Sequence, residues 1–208
     1  RGIDMTLSEF DNEIRKDHNV VCGCDEAGRG PLAGDVFAAA VIFDKDTVIE
    51  GINDSKKLTA KKREELFDEI MEKAVDFSIQ TATVEEIEDI NILNAAMLAM
   101  KRAVEDMDTK PDVCLIDGNK TPEGLECPAI AVVKGDAKSQ AVAAASILAK
   151  VARDRYMEQM AEQYPEYRFE KHKGYGTKLH YQMIDRYGPC GIHRMSFLKK
   201  YYAKKNGH

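Results

Sequence analysis

The sequence contains no apolar run approaching the ~20 residues needed to span a bilayer, and its N-terminus lacks the charged-then-apolar pattern of a signal peptide. No membrane partner is expected, and the cytoplasm is the expected compartment. Because the chain starts at Arg1 rather than Met, trimming with loss of a leader stays open. No CxxC pair occurs among the five cysteines, Cys22, Cys24, Cys114, Cys127 and Cys190, so neither a disulfide framework nor a zinc knuckle fits. They read as free thiols, with Cys22 and Cys114 acting as small hydrophobes inside apolar runs. Internal repeats and low-complexity segments are also missing. What remains is an ordinary globular composition, 32% charged and 44% hydrophobic over 208 residues, long enough to bury a core.

Charge is unevenly spread. Residues 168–208 hold ten Lys/Arg against two acids, a net of +8, which leaves −14 on residues 1–167. A polyanion held at the basic end is one reading; a solvated helical face is the other. The segment 168–208 is accordingly expected to be a basic helical extension packed on the same domain as residues 1–167.

Apolar residues recur at helical spacing at Leu7, Phe10 and Ile14, before a short apolar strand that opens at Val20 and ends near Asp25. Val36 to Phe43 reads as a second strand, joined to the first as a hairpin by a Gly/Pro loop. Thr59 caps a helix running to Lys73, and Phe77 to Thr83 alternates as a third strand. Val84 to Met107 reads as one helical stretch with a stripe at Leu93, Met97, Met100 and Val104. Val113 to Ile116 and Ile130 to Val133 supply two further strands. Ala137 to Met160 is a long alanine-rich helix, and weaker helical segments lie near 177–187 and 196–204. A hairpin followed by alternating helices and strands predicts an α/β fold with a mixed sheet of about five strands.

Two apolar runs end on acids, VVCGC into Asp25-Glu26 and VCLI into Asp117. Functional groups in open α/β sheets collect just beyond strand ends, and convergent carboxylates imply a hard divalent cation. Asp136 and Asp154 compete as a further acid. Eighteen residues of helix would separate them by roughly 27 Å along the axis, so only one can share a site with the strand ends. Asp136 is preferred because it follows the last strand directly, whereas Asp154 fits a pair with Lys150 or Arg153. Each acid also has an unremarkable reading: Asp136 as a helix N-cap, Asp117-Gly118 as a turn, Asp25-Glu26 as exposed loop charge.

The segment GRGPLAG spaces its glycines as G-x-G-x-x-x-G and places Pro31 after the second, which disfavours a phosphate-cradling dinucleotide loop. Glycines flanking Arg29 instead let the backbone approach a bulky ligand closely, with Arg29 offering a fork to phosphate or to an internal acid.

The runs CDEAGRGPLAGDVFAAAVIF, NDSKKLT (Asn53 to Thr59), LIDGN (Leu115 to Asn119), VVKGDAKSQAVAAASILAKVARD (Val132 to Asp154) and HKGYGT (His172 to Thr177) together resemble type 2 ribonuclease H, ribonuclease HII, in order and over nearly the whole chain. One departure is Asp35, where the family usually has Pro or Ala, outside the chemistry. The resemblance implies a ribonuclease-H-like fold and a monomeric endoribonuclease that cuts RNA in RNA/DNA hybrids and duplex DNA containing ribonucleotides. It implies Mg²⁺ or Mn²⁺ on an acidic tetrad, Asp25, Glu26, Asp117 and Asp136. It further implies reading of the 2′-OH by the backbone of Gly28, Arg29 and Gly30, and packing of Tyr175 near the adjoining sugar. Ser55, Lys56 and Lys57 would contact backbone phosphate, the alternative being solvated charge at a helix entry. His172 receives no role. A non-catalytic hybrid-binding module and an exonuclease of similar fold are the competing readings.

Overall fold

The computed structural model describes residues 4–52 and 57–207. Helix α1 (Leu7–Arg15) starts at a Thr6/Glu9 capping box, and the chain then enters β1 (Val21–Ala27) and β2 (Val36–Ile42). Helix α2 (Ala60–Lys73) is capped by Thr59 as expected. Strand β3 (Asp76–Ala82), helices α3 (Val84–Ile90) and α4 (Ile92–Asp106), and strands β4 (Val113–Asp117) and β5 (Ala129–Val132) follow. The remainder is helical: α5 (Gln140–Gln163), α6 (Phe169–His172), α7 (Lys178–Tyr187) and α8 (Met195–Asn206). Among the described residues no helix is long and apolar enough to cross a membrane.

The sheet runs β3-β2-β1-β4-β5, with β1/β2 and β2/β3 antiparallel and β1/β4 and β4/β5 parallel. Side-chain alternation divides the core between its faces. Cys22, Cys24, Ala38, Ala40 and Ile42 pack with Ala96, Ala99, Met100 and Ala103 of α4. Ala39, Val41 and Phe43 pack with Leu66 and Ile70 of α2 and with Ala143, Ala144, Ile147 and Leu148 of α5. Alanines let α5 lie very close to the sheet. A Cβ on Gly23 would stand 2.2 Å from the Ala141 carbonyl carbon and 2.3 Å from Val142 N, so only glycine fits beneath the start of that helix.

Three differences from the boundaries read in the sequence have a visible cause. Strand β1 runs through Asp25 and Glu26 to Ala27, because these residues still pair with Ala39 and Ala38 of β2. The stretch from Val84 is broken at Asn91, which holds φ 71° and ψ 166°, a backbone conformation no helix can continue through, and caps α4 by accepting from Asn94 N. The long helix begins at Gln140, not Ala137. Gly135–Ala137 forms a separate 3₁₀ turn, and Ser139 caps α5.

Candidate active site

The register explains how the acids meet. β1 and β4 pair as far as Cys24 opposite Ile116, so Asp25 and Asp117 leave adjacent strands side by side on the face that carries Val21, Leu115 and Val132 against Val142 of α5. Glu26 points to the other face, toward Ala96, Met97 and Met100 of α4. Asp136 arrives from the 3₁₀ turn after β5, its backbone N–H donating to Asp117 Oδ1 at 3.2 Å. Bare Gly135 makes room, since a Cβ there would lie 3.3 Å from the same oxygen. The structure therefore brings Asp25, Glu26, Asp117 and Asp136 together from two strand ends and a turn. Asp154 lies elsewhere, in an ion pair with Lys150 at 3.1 Å.

These carboxylates carry an electrostatic cost. Asp25 is 5% exposed, and burial, followed by the charges of Glu26 and Asp117, pushes its carboxyl well above the usual range. Asp117 is raised by burial and by Asp136 and Glu26, against a lowering contribution from the Asp136 N–H. Glu26 Oε1 receives Arg29 at 3.3 Å, yet Glu26 Oε2 is buried without a hydrogen-bond partner. Among the described residues no three His, Cys, Asp or Glu side chains are already drawn into a coordination cage. The donors nevertheless suit a hard cation. An all-oxygen set of mutually repelling carboxylates with an orphaned oxygen would be relieved by a hard divalent cation, which takes oxygen ligands.

Beside the acids, Glu26, Ala27, Gly28, Arg29, Gly30, Arg63, Ser146, Ile147, Lys150 and Tyr175 line a cleft of about 480 Å³. A smaller groove, lined by Asn119 and Lys120, shares Glu26 and Arg29 with it. The Tyr175 ring, 40% exposed, faces Gly30, with Lys150 Nζ 5.7 Å from its centroid. Lys57 is exposed at the entry to α2, while Ser55 and Lys56 lie outside the described residues.

The loop from Gly28 to Asp35 is held from within by two arginines that the sequence did not single out for this role. Arg153 of α5 is 1% exposed and donates to the carbonyls of Ala33, Asp35 and Lys173. Arg194 is fully buried and donates to Gly28, Arg29, Pro31 and Gly34 carbonyls at 2.7–3.1 Å. Burial, then the neighbouring Arg153, pushes the Arg194 guanidinium down to about 9, so it stays charged at neutral pH. Gly28 sits at φ 92°, and a Cβ there would meet Arg153 Nε at 2.1 Å. Asp35, the departure noted above, accepts from Val84 N at 3.0 Å and lends these guanidiniums a nearby negative charge. Ser146 escaped notice, and Lys150 was read only as a partner for Asp154. Their signal is a polar stripe, Ser146, Lys150 and Arg153, at helical spacing along an alanine helix.

A mixed sheet of this strand order, with carboxylates at the ends of its central parallel pair, defines a ribonuclease-H-like fold. A family model described as Ribonuclease HII matches residues 22–200. A ribonuclease HII from Caldicellulosiruptor saccharolyticus is 54% identical over 199 residues, spanning 95% of this chain and 97% of its own length. One from Idiomarina loihiensis is 58% identical over 178 residues, covering 86% and 95%. The crystal structure of ribonuclease H2 from Pyrococcus horikoshii superposes with a TM-score of 0.73 at 29% identity, covering 90% of this chain and all of that one. This chain belongs to the ribonuclease HII family and is a metal-dependent endoribonuclease.

Proposed function

We propose that this endoribonuclease hydrolyses the RNA strand of RNA/DNA hybrids and nicks duplex DNA on the 5′ side of an embedded ribonucleotide, leaving 5′-phosphate and 3′-hydroxyl ends. The observation that carries the reading is the adjacency of a strained carboxylate cluster, with Glu26 Oε2 unpartnered, to a cleft walled by the backbone of Gly28-Arg29-Gly30. Asp25, Glu26, Asp117 and Asp136 would hold divalent cations, Mg²⁺ or Mn²⁺, two per site during cleavage. Bound there, such ions polarise the phosphoryl oxygen and lower the pKa of a water.

The chain itself supplies recognition. A 2′-hydroxyl is donor and acceptor at once, and backbone atoms of Gly28, Arg29 and Gly30 read it without consulting the base. The Tyr175 ring packs against the adjoining sugar. Arg29 is tethered by Glu26, which aims it along the boundary between the two grooves. Ser55, Lys56 and Lys57 contact backbone phosphate. Residues 168–208, an extension on the 1–167 domain, hold the duplex by displacing counterions. The enzyme works as a monomer in the cytoplasm.

A closed circular duplex carrying one ribonucleotide tests this directly. Nicking is expected with Mg²⁺ or Mn²⁺ and not with chelator, while an all-deoxy circle stays intact. Equal cutting of both circles would end the reading; binding without metal-dependent nicking would point to a non-catalytic module, and dependence on free ends to an exonuclease.

A further inference from the structure

Three imidazoles, His172, His180 and His193, lie buried beneath the loop that presents Tyr175, and their hydrogen bonds admit one arrangement of protons. The Cys190 backbone N–H can only donate, so His193 Nδ1 accepts it at 2.8 Å and Nε2 carries the proton. That proton goes to His180 Nε2 at 2.9 Å. His180 Nδ1–H in turn donates to the Tyr175 carbonyl at 2.9 Å, an atom that can only accept. His172 stacks on His180 with centroids 4.1 Å apart; its Nδ1 accepts Gly174 N–H and its Nε2 donates to the Tyr167 carbonyl. Every ring nitrogen is used and every ring is neutral. Phe169 packs edge-on against His172 and His180 and excludes water from them.

The far end of this chain is tied to the other wall of the cleft. His193 bridges Ala33, Arg194 N donates to the Leu32 carbonyl, and Gly34 N donates to the Ile192 carbonyl. The next side chain, Arg194, takes the carbonyls of Gly28, Arg29, Pro31 and Gly34. Residues 190–194 thus reach the Gly28–Gly30 wall through Arg194 and the Tyr175 wall through His193 and His180. We infer that His180 and His193 are positioning residues that fix Tyr175 at a set distance from the Gly28-Arg29-Gly30 backbone, so that the cleft accepts the sugar at the cut in one pose. The inference rests on the reading of Tyr175 given above.

A double-mutant cycle on a duplex with one ribonucleotide tests it under single-turnover conditions, with substrate Kd measured separately. His180→Gln keeps an acceptor for His193 but removes the donor to Tyr175. It should slow cleavage by roughly 10–100-fold, the scale of an ångström misplacement, with Kd changed less than about threefold. His180→Asn places an amide donor where Nδ1 stood and should recover most of the rate, although it fills less space. Tyr175→Ala/His180→Gln should be no slower than Tyr175→Ala alone. Equal damage from Asn and Gln, or losses that multiply in the double variant, would overturn the positioning role. A Tyr175→Ala protein that cleaves normally would instead bring down the Tyr175 reading and this inference with it. Thermal melts identify variants that fail to fold. His193→Asn, which keeps an acceptor for the Cys190 amide and removes only the donor to His180, then replaces His180→Gln in the same cycle and must show the same non-additivity.

Discussion

At the ends of β1 and β4, buried carboxyl oxygens repel one another and Glu26 Oε2 has no partner. In the neighbouring frame, the buried guanidiniums of Arg153 and Arg194 and the imidazoles of His172, His180 and His193 have their nitrogens engaged, chiefly by backbone. Both regions bury polar groups, which is costly unless they are partnered. The first keeps a cost that a bound cation would remove. The second has already offset it, and the return is a loop whose shape is set before substrate arrives. Unpartnered polarity marks where a ligand binds; partnered polarity marks what holds the ligand's surroundings still.

Asp25→Asn should break the comparison most severely. Removing one charge relieves the repulsion but weakens cation binding, so nicking should fall by about three orders of magnitude, ~4 kcal/mol of barrier, while the melting temperature at neutral pH is unchanged or higher. Mg²⁺ should stabilise the unmodified protein, by about 2.7 kcal/mol at a hundredfold excess over Kd, and the variant much less. Melts with and without Mg²⁺ check both statements.

Arg194→Met acts on the partnered side and should do the opposite. It strands four carbonyls, so unfolding in denaturant should show a loss of about 3 kcal/mol, with activity falling because the Gly28–Gly30 loop loses its shape.

The pH dependence of stability separates the regions by sign. Burial lowers His180 and His193 to about 4, against 6.5 in an unfolded chain. Their contribution is complete above 6.5 and is lost as pH falls toward 4, roughly 1 kcal/mol per ring by pH 5.5. Asp25 and Asp117 are raised, so their contribution is present below about 3.8 and is lost as pH rises through their folded values. Denaturant midpoints from pH 7.5 to 5.5 should fall less steeply in a variant in which one of these rings is replaced by Asn. The smallest effect is expected for Asp154→Asn. Its partner Lys150 lines the cleft, but the pair is partly exposed, and cleavage rates should stay within about twofold of the unmodified enzyme.

What could be read from the sequence was whatever depends on near neighbours. The alternation and apolar runs at Val36 and Val113, and the cap at Thr59, locate β2, β4 and α2 because period and capping are local signals. That Asp25, Glu26 and Asp117 would lie near one another was legible because two apolar runs end on carboxylates, and Asp136 joined them because it closely follows the last strand. Arg153 and Arg194 were not, since arginines that bind carbonyls 20 to 166 positions away leave no local pattern. The same holds for Asp11, fully buried. It accepts from Ser139 Oγ and from Ala141 N across 128 and 130 positions, supporting the start of α5. His172, His180 and His193 come from a segment whose basic charge drew attention to its surface rather than to its interior.

Helix α5 carries a consequence of its own. Its first turn is pinned over Gly23 and by Asp11 and Gln140, while Arg153, about 20 Å further along at ~1.5 Å per residue, grips the loop from Gly28 to Asp35. On the proposed reading, the helix would work as a gauge block between the phosphate being cut and the ribose being recognised. A residue inserted between Gln140 and Arg153 would turn Arg153 by ~100° and shift it by ~1.5 Å, throwing the two ends out of register. A residue inserted in the 119–127 connection, outside the helix, would leave that spacing untouched.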